Sequence, residues 1–269
     1  FKNYNSIVLH RINESDERKN TKTMNFKLRL ANFCADQTVV VGEWMKGLDL
    51  FHNSKKQEIL TIKNGSNQTI FNRKGYKKWK NNFKLKIVTH HWSGNWMKGF
   101  DIYSKFDTLL GKKEFKDLFE FTYIGNLPLN FSFKNSKYIK PLHGAQLANE
   151  LKKHHGYITA SINEPGGNHQ NEAGLCGLPI LYRESGCLPE YCGEFGVSFN
   201  EENFEKRLVS FKENYHTLVN KIKKYPFSDL KTNKAYIKLF LDLTSNKNSL
   251  TKNRKSLISP MIFLLNHLI

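Results

Sequence analysis

The stretch Ser161–Phe199, SINEPGGNHQNEAGLCGLPILYRESGCLPEYCGEFGVSF, decides how the chain is read. It carries two glutamates, Glu164 and Glu172, with seven residues between them. Pro165-Gly166-Gly167-Asn168 lies in that interval, and Gly177-Leu178-Pro179 and the apolar run Ile180–Tyr182 follow it. The pattern predicts a strand over Tyr157–Ser161, a tight glycine turn, a helix opening near Asn168 and a further strand at Pro179–Tyr182. Adjacent glycines let the backbone approach a ligand closely and take positive φ at little steric cost. A helix that opens there presents free N–H groups and a partial positive charge, which suits a phosphate. Glu172, about one turn into that helix, can accept hydrogen bonds from neighbouring hydroxyls such as a ribose diol. Glu164 falls at a strand's carboxyl end, where open α/β sheets bind ligands. Glycine pairs before helices are common, so the spacing by itself leaves a purely structural turn open as well.

Taken with Gly177, Pro179, Gly186 and Glu190, the two glutamates resemble the donor-binding half of retaining GT-B glycosyltransferases of glycosyltransferase family 4. The resemblance implies an α/β protein of GT-B fold, with two Rossmann-like domains facing a cleft. It implies transfer of a sugar from a nucleoside-diphosphate donor to a glycan, lipid or protein acceptor. In that reading Glu172 binds the ribose diol and Glu164 contacts hydroxyls of the donor sugar. Backbone amides around Gly166, Gly167 and Asn168, together with Lys98, stabilise the diphosphate, and no metal or other cofactor is called for. Two alternatives stay open: a sugar-nucleotide epimerase of GT-B fold, and a truncated, non-catalytic protein that binds a nucleotide sugar.

Upstream, Phe83–Thr89 reads as a strand and leads into His90-His91-Trp92-Ser93-Gly94-Asn95-Trp96-Met97-Lys98-Gly99. Lys98-Gly99 resembles the family's Lys-Gly pair, whose lysine contacts donor phosphates. The family has an arginine five residues before that lysine; here the position is Ser93. Ser93 and Asn95 are still hydrogen-bond donors of the kind that line phosphate loops. Leu142-His143-Gly144 resembles the loop that borders the nucleotide base. His90 and His91 have no acidic or thiol partner at a metal-binding spacing, so packed or solvated imidazoles are preferred to metal ligands. Trp92 and Trp96 fit either the core or a cover over a sugar or base, and the core is the preferred reading.

The amino-terminal part alternates in the same way. Ser6–Ile12 reads as a strand, Lys22–Cys34 as a helix, Gln37–Gly42 as a strand, Glu43–Phe51 as a short helix and Glu58–Ile62 as a strand. Arg11, Asp16 and Arg18 lie at or beyond the carboxyl end of the first strand. Two readings stand equal for them. One is a polar approach to a helix, capped by Asp16 or Ser15. In the other, the loop faces a cleft from the acceptor side and the arginines hold an anionic group through planar bidentate contacts. The expected division is an acceptor-side domain at 1–64, a linker at 65–84, a nucleotide-sugar domain at 85–225, and a carboxy-terminal helix and tail at 226–269. A GT-B first domain is normally longer than this, so the chain is expected to lack its start. Asn203–Lys224 reads as one amphipathic helix ended by Pro226, and Leu230–Leu243 as a helix resembling the one that crosses back to the first domain. The apolar tail Ser256–Ile269 is too short to span a bilayer; packing or a peripheral anchor are both open.

Composition limits the remaining classes. With 269 residues, 39% apolar and 13% aromatic, the chain can bury the cores of two modest domains. Net charge is +18, which raises the question of nucleic acid, yet only seven of the 42 basic residues are Arg. Basic runs such as Lys74–Lys80 belong to no nucleic-acid module. A solvated basic surface is the reading, with attraction for a diphosphate donor or for peripheral contact with an anionic membrane. The four cysteines show no CxxC pairing, and reduced thiols in a cytoplasmic protein are expected.

Overall fold

The computed structural model describes residues 6–51, 59–81 and 83–252. They belong to two compact α/β units, one made of Phe1–Lys63 with Thr232–Ile269 and the other of Asn64–Lys231. The tail from Ser256 lies outside the described residues, as does Glu58 at the start of one expected strand. Among the described residues no helix is long and apolar enough to cross a membrane.

In the first unit, strands β1 (Leu9–Ile12), β2 (Gln37–Val40) and β3 (Ile59–Thr61) form a parallel sheet in that order. Side chains alternate between the faces of a strand. Val40 therefore joins Ile12, Met45, Leu50, Phe51 and Ile59, while its neighbour Val39 joins Ile62, Leu239 and Leu243 on another cluster. Between β1 and β2 lie helices α1 (Asp16–Lys19) and α2 (Met24–Phe33). Ser15 Oγ accepts the Arg18 N–H and caps α1. The Asp16 carboxylate accepts the N–H groups of Met24 at 2.9 Å and Asn25 at 2.8 Å, which satisfies the open start of α2. Burial works to raise the Asp16 carboxyl pKa, but the Thr21 hydroxyl and these amides outweigh it and hold it below its ordinary value. The short helix expected over Glu43–Phe51 is instead two 3-10 turns, Glu43–Gly47 and Asp49–Phe51. Gly47 is a poor helix former, and Leu48 turns extended after it.

The second unit holds β4 (Leu85–His91), β5 (Phe119–Gly125), β6 (Lys137–Ile139), β7 (Gly156–Thr159), β8 (Ile180–Arg183) and β9 (Gly196–Phe199). All pair in parallel, in the order β6-β5-β4-β7-β8-β9. The chain winds outward from β4 through β5 to β6, returns to β7 on β4's other side, and winds outward again. β4 and β7 thus flank the point where the strand order reverses, and a crevice forms outside the carboxyl ends of such a pair.

Helices α3 (Phe100–Leu109), α4 (Lys113–Lys116), α5 (Gly144–Leu151), α6 (His169–Leu175), α7 (Leu188–Cys192), α8 (Phe204–Glu213) and α9 (Tyr215–Ile222) connect and cover this sheet. The core is mostly aromatic. Phe100, Tyr103 and Phe106 of α3 meet Phe119, Phe121 and Tyr123 of β5, with the Phe106 and Phe121 rings stacked 4.8 Å apart. Each such ring contributes about 1.5–3 kcal/mol by leaving water. The single helix expected over Asn203–Lys224 is broken at Asn214, whose side-chain amide donates to the Ser210 carbonyl at 2.8 Å. The same carbonyl also accepts the Asn214 backbone N–H at 3.0 Å, and Asn214 sits at φ −88° and ψ 4°, off the helical region. Residues 65–84, expected as a linker, belong to the second unit. There Trp79 is buried and the hydroxyls of Tyr76 and Tyr215 are 2.7 Å apart. Helix α10 (Asp229–Ser245) starts at the end of this unit, and its Leu239 and Leu243 fall in the first unit's second cluster. The short α11 (Lys247–Lys252) follows it.

Two histidines beneath the sheet make stability depend on pH. His154 Nδ1 lies 3.0 Å from the Glu150 carbonyl and Nε2 3.0 Å from the Thr122 hydroxyl. The carbonyl requires the proton on Nδ1, so Nε2 accepts. His155 Nδ1 accepts the Lys86 N–H at 3.0 Å. Burial pushes both pKa values from 6.5 down to about 4, with Lys86 adding to the effect. A group depressed in the folded state is protonated first in the unfolded chain. Its contribution is therefore full above pH 6.5 and is lost as pH falls towards 4. Urea unfolding between pH 7.5 and 4.5 is expected to show a loss on the order of 2 kcal/mol from His154. His154→Gln is expected to lower stability at pH 7.5 and flatten that slope.

Candidate functional site

Lys98 and Glu164 meet at the reversal of strand order. After β4 the chain makes a 3-10 turn, Trp96–Lys98, capped by Asn95 Oδ1, which accepts the Met97 N–H at 2.8 Å. Ser93 Oγ accepts the Asn95 N–H at 3.2 Å. Gly99 then takes φ 98°, and a Cβ on it would collide with Ala160 at the end of β7. That close approach lets the Ile162 N–H reach the Met97 carbonyl at 2.9 Å. With the two loops joined, Lys98 Nζ stands 2.8 Å from Glu164 Oε2, the side chains being 12% and 8% exposed. A third loop fixes Glu164 from the other side: Cys187 N–H donates to its carbonyl at 2.8 Å. Gly186, at φ 57°, leaves no room for a Cβ against the Glu164 backbone.

The glycine turn is held from below. Asn64 Nδ2 donates to the Gly166 carbonyl, Ser66 Oγ to that of Asn168 at 3.3 Å, and Asn171 Nδ2 to that of Asn64 at 3.1 Å. Helix α6 then carries Glu172 in its first turn. The Glu172 carboxylate reaches across to β4, where Oε2 lies 2.7 Å from His90 Nε2. Beside this pair opens a cavity of about 410 Å³, lined by His90, His91, Trp92, His143, Leu147 and Glu172 among others. Its mouth carries Trp92 and His143, with ring centroids 4.5 Å apart. Trp92 is 65% exposed and Trp96 51% exposed, so the expectation of core positions for them is corrected. Both lie past the last residue of β4, where burial by the sheet ends.

His91 is enclosed rather than solvated. Its Nε2 is 2.7 Å from the Tyr103 hydroxyl, and its ring lies 4.7 Å from that of His169, whose Nε2 bonds Thr159 Oγ1 at 2.8 Å. Burial raises the Tyr103 and Tyr157 phenol pKa values, so both stay protonated beneath the site. Among the described residues no three His, Cys, Asp or Glu side chains gather as metal ligands. All four cysteines are free of disulfides.

The structure thus brings Lys98, Glu164, Gly166, Gly167, Asn168 and Glu172 to one edge of one sheet, with His143 at the rim of the cavity. Ser93 and Asn95 are exposed on the loop and bond within it. Arg11, Asp16 and Arg18 lie in the first unit, where Asp16 caps α2. Sequence reasoning did not single out His90 as a partner of Glu172, nor Phe71 in the cavity wall. The signal for His90 was present in the burial expected at the end of a central strand; its partner, distant in the chain, was not. A larger hollow of about 650 Å³, lined by Lys84, Lys86, Glu120 and His155, lies at the amino-terminal ends of β4 and β5, away from these residues.

No family model matches the chain, and no curated protein matches it in sequence. Solved structures match it in fold. TarM aligns with a TM-score of 0.64 at 14% identity, over 87% of this chain and 50% of TarM. Sucrose-phosphate synthase from Thermosynechococcus elongatus aligns at 0.64 and 14%, over 91% of this chain and 69% of its own. Anabaena HepE in complex with UDP-glucose aligns at 0.69 and 12%, over 88% and 72%. The chain spans half the length of TarM. The likeness establishes an α/β fold of the GT-B glycosyltransferase type.

Breaking the buried ion pair tests the geometry directly. Lys98→Met takes away the lysine beside a carboxylate that is 8% exposed, and is expected to cost about 3 kcal/mol in urea unfolding. Adding Glu164→Gln is expected to recover much of that loss, so the double variant is more stable than the sum of the singles.

Proposed function

We propose that the protein is a retaining glycosyltransferase that takes its sugar from a nucleoside-diphosphate donor bound in the second unit. The observation that carries this reading is the placement of Glu172 and the Lys98–Glu164 pair around one crevice at the reversal of strand order. HepE has been solved with UDP-glucose, with UDP, and with UDP and glucose, and the same class of ligand suits the residues here. The base enters the cavity of about 410 Å³ and lies against Trp92 and His143 at its mouth. Glu172 accepts hydrogen bonds from the ribose diol. The diphosphate lies over Gly166, Gly167 and Asn168 within reach of Lys98, with Ser93 and Asn95 on the neighbouring loop.

The bond that breaks joins the sugar's anomeric carbon to the distal phosphate oxygen. The diphosphate leaves with the electron pair, and its growing charge is met by the Lys98 ammonium and the loop amides. An acceptor hydroxyl forms the new bond to the anomeric carbon from the face the diphosphate leaves, and passes its proton to the departing phosphate oxygen, so the configuration at that carbon is kept. Glu164 holds hydroxyls of the donor sugar and, between turnovers, keeps Lys98 in place. The reading assigns no protein nucleophile and needs no resident metal, because fixed cationic and N–H groups take up the leaving charge. Arg11 and Arg18 remain the acceptor-side candidates for an anionic group, and a glycan or lipid-linked acceptor fits them.

Thermal unfolding with UDP, ADP and GDP, and with their glucose conjugates, tests the donor site. At least one is expected to raise the melting temperature of the wild-type chain, by an amount that grows with ligand concentration. Glu172→Ala is expected to weaken that ligand by about tenfold or more. Lys98→Met is expected to lower nucleoside-diphosphate release from the matching donor by about 10²–10³. A wild-type chain that responds to none of these ligands would end the proposal.

A further inference from the structure

The geometry points to His90 as a positioning residue that sets pentose selectivity by holding the Glu172 carboxylate in one orientation; this rests on Glu172 being the ribose contact. His90 Nε2 and Glu172 Oε2 are 2.7 Å apart. An ionised carboxylate only accepts hydrogen bonds, so the imidazole proton sits on Nε2. His90 Nδ1 is buried and makes no hydrogen bond, so no second polar group competes to turn the ring. The ring is walled by Tyr157 at 5.5 Å and by His169 at 6.4 Å between centroids. The Tyr157 hydroxyl also lies 3.3 Å from both the backbone N and O of His90. β4 is a central strand, so the imidazole is delivered from a rigid element.

Glu172 is the more exposed partner, at 22% against 10%, and lines the cavity. With Oε2 engaged by His90, Oε1 is the oxygen left to face a ligand. A glutamate side chain has considerable rotamer freedom to lose when it is ordered. His90 removes that freedom before the ligand arrives, which is preorganisation. The consequence is specific. Through Glu172, His90 strengthens binding of ligands that carry the hydroxyls Glu172 touches more than of ligands that lack them. A residue that merely supported the fold would weaken both kinds alike.

The test is the set of dissociation constants of UDP, ADP and GDP and their 2′-deoxy counterparts. They are measured for the wild-type chain, His90→Phe, His90→Gln, Glu172→Gln and the double variant His90→Phe/Glu172→Gln. Wild type is expected to prefer the ribonucleotide by about tenfold or more. His90→Phe is expected to reduce that preference to about threefold or less, the larger loss falling on the ribonucleotide. His90→Gln, whose amide N–H can reach the carboxylate, is expected to restore most of it. In the Glu172→Gln background, His90→Phe is expected to add no further loss. The inference is overturned if His90→Phe keeps the wild-type preference, or weakens both nucleotide forms equally. If wild type binds none of the six, the nucleotide reading falls and takes this inference with it. If wild type binds and discriminates but His90→Phe behaves like it, this inference alone falls.

Discussion

The pairing of β4 with β7 is the constraint on which the candidate site depends. Both strands run the same way, through Ile87 opposite Gly156 and Val88 opposite Tyr157, so the segments that leave them emerge side by side. Lys98 follows one strand and Glu164 the other, 66 positions apart in the chain. Were the two strands antiparallel, their carboxyl ends would lie at opposite edges and the ion pair could not form. A charge pair held 12% and 8% exposed is not itself a strong source of stability. The aromatic layer between α3 and β5 supplies stability instead, from beneath the site. It leaves the edge of the sheet able to carry charged groups that packing alone would not select.

What the sequence disclosed follows from how local each feature is. The interval between Glu164 and Glu172, the glycines inside it and the Lys98-Gly99 pair are contiguous patterns, and the structure sets them on the loops and helix start that their spacing implies. Run length gave the strands at Phe83–Thr89, Tyr157–Ser161 and Pro179–Tyr182, which become β4, β7 and β8, for the same reason. The contact between His90 and Glu172 joins positions 82 apart and depends on which strand becomes β4's neighbour. A single sequence carries no local mark of that choice. Trp92 and Trp96 misled because large aromatics usually pack inside, and only their position beyond β4 leaves them exposed. The break at Asn214 was hidden by apolar spacing that continues across it. Phe211 and Tyr215 stay buried on either side of a junction where the Asn214 backbone leaves helical geometry.

The first unit shows the same division between local and distant causes. Ser15 and Asp16 are short polar side chains next to helix starts, and they act there as caps. Val39 and Val40 look alike in sequence yet enter different clusters, because neighbouring residues of a strand point to opposite faces. The Val39 face is covered by Leu239 and Leu243, some two hundred positions away.

Asn64 has a chemical consequence of its own. Asn64-Gly65-Ser66 has the Asn-x-Ser form that oligosaccharide attachment requires, and attachment takes place on the side-chain amide nitrogen. In the folded chain that nitrogen donates to the Gly166 carbonyl, while the Asn64 carbonyl accepts from Asn171 and its N–H donates to the Tyr191 hydroxyl at 2.7 Å. A glycan there would displace the glycine turn, so this tripeptide is a sequon in letters only once the second unit has folded.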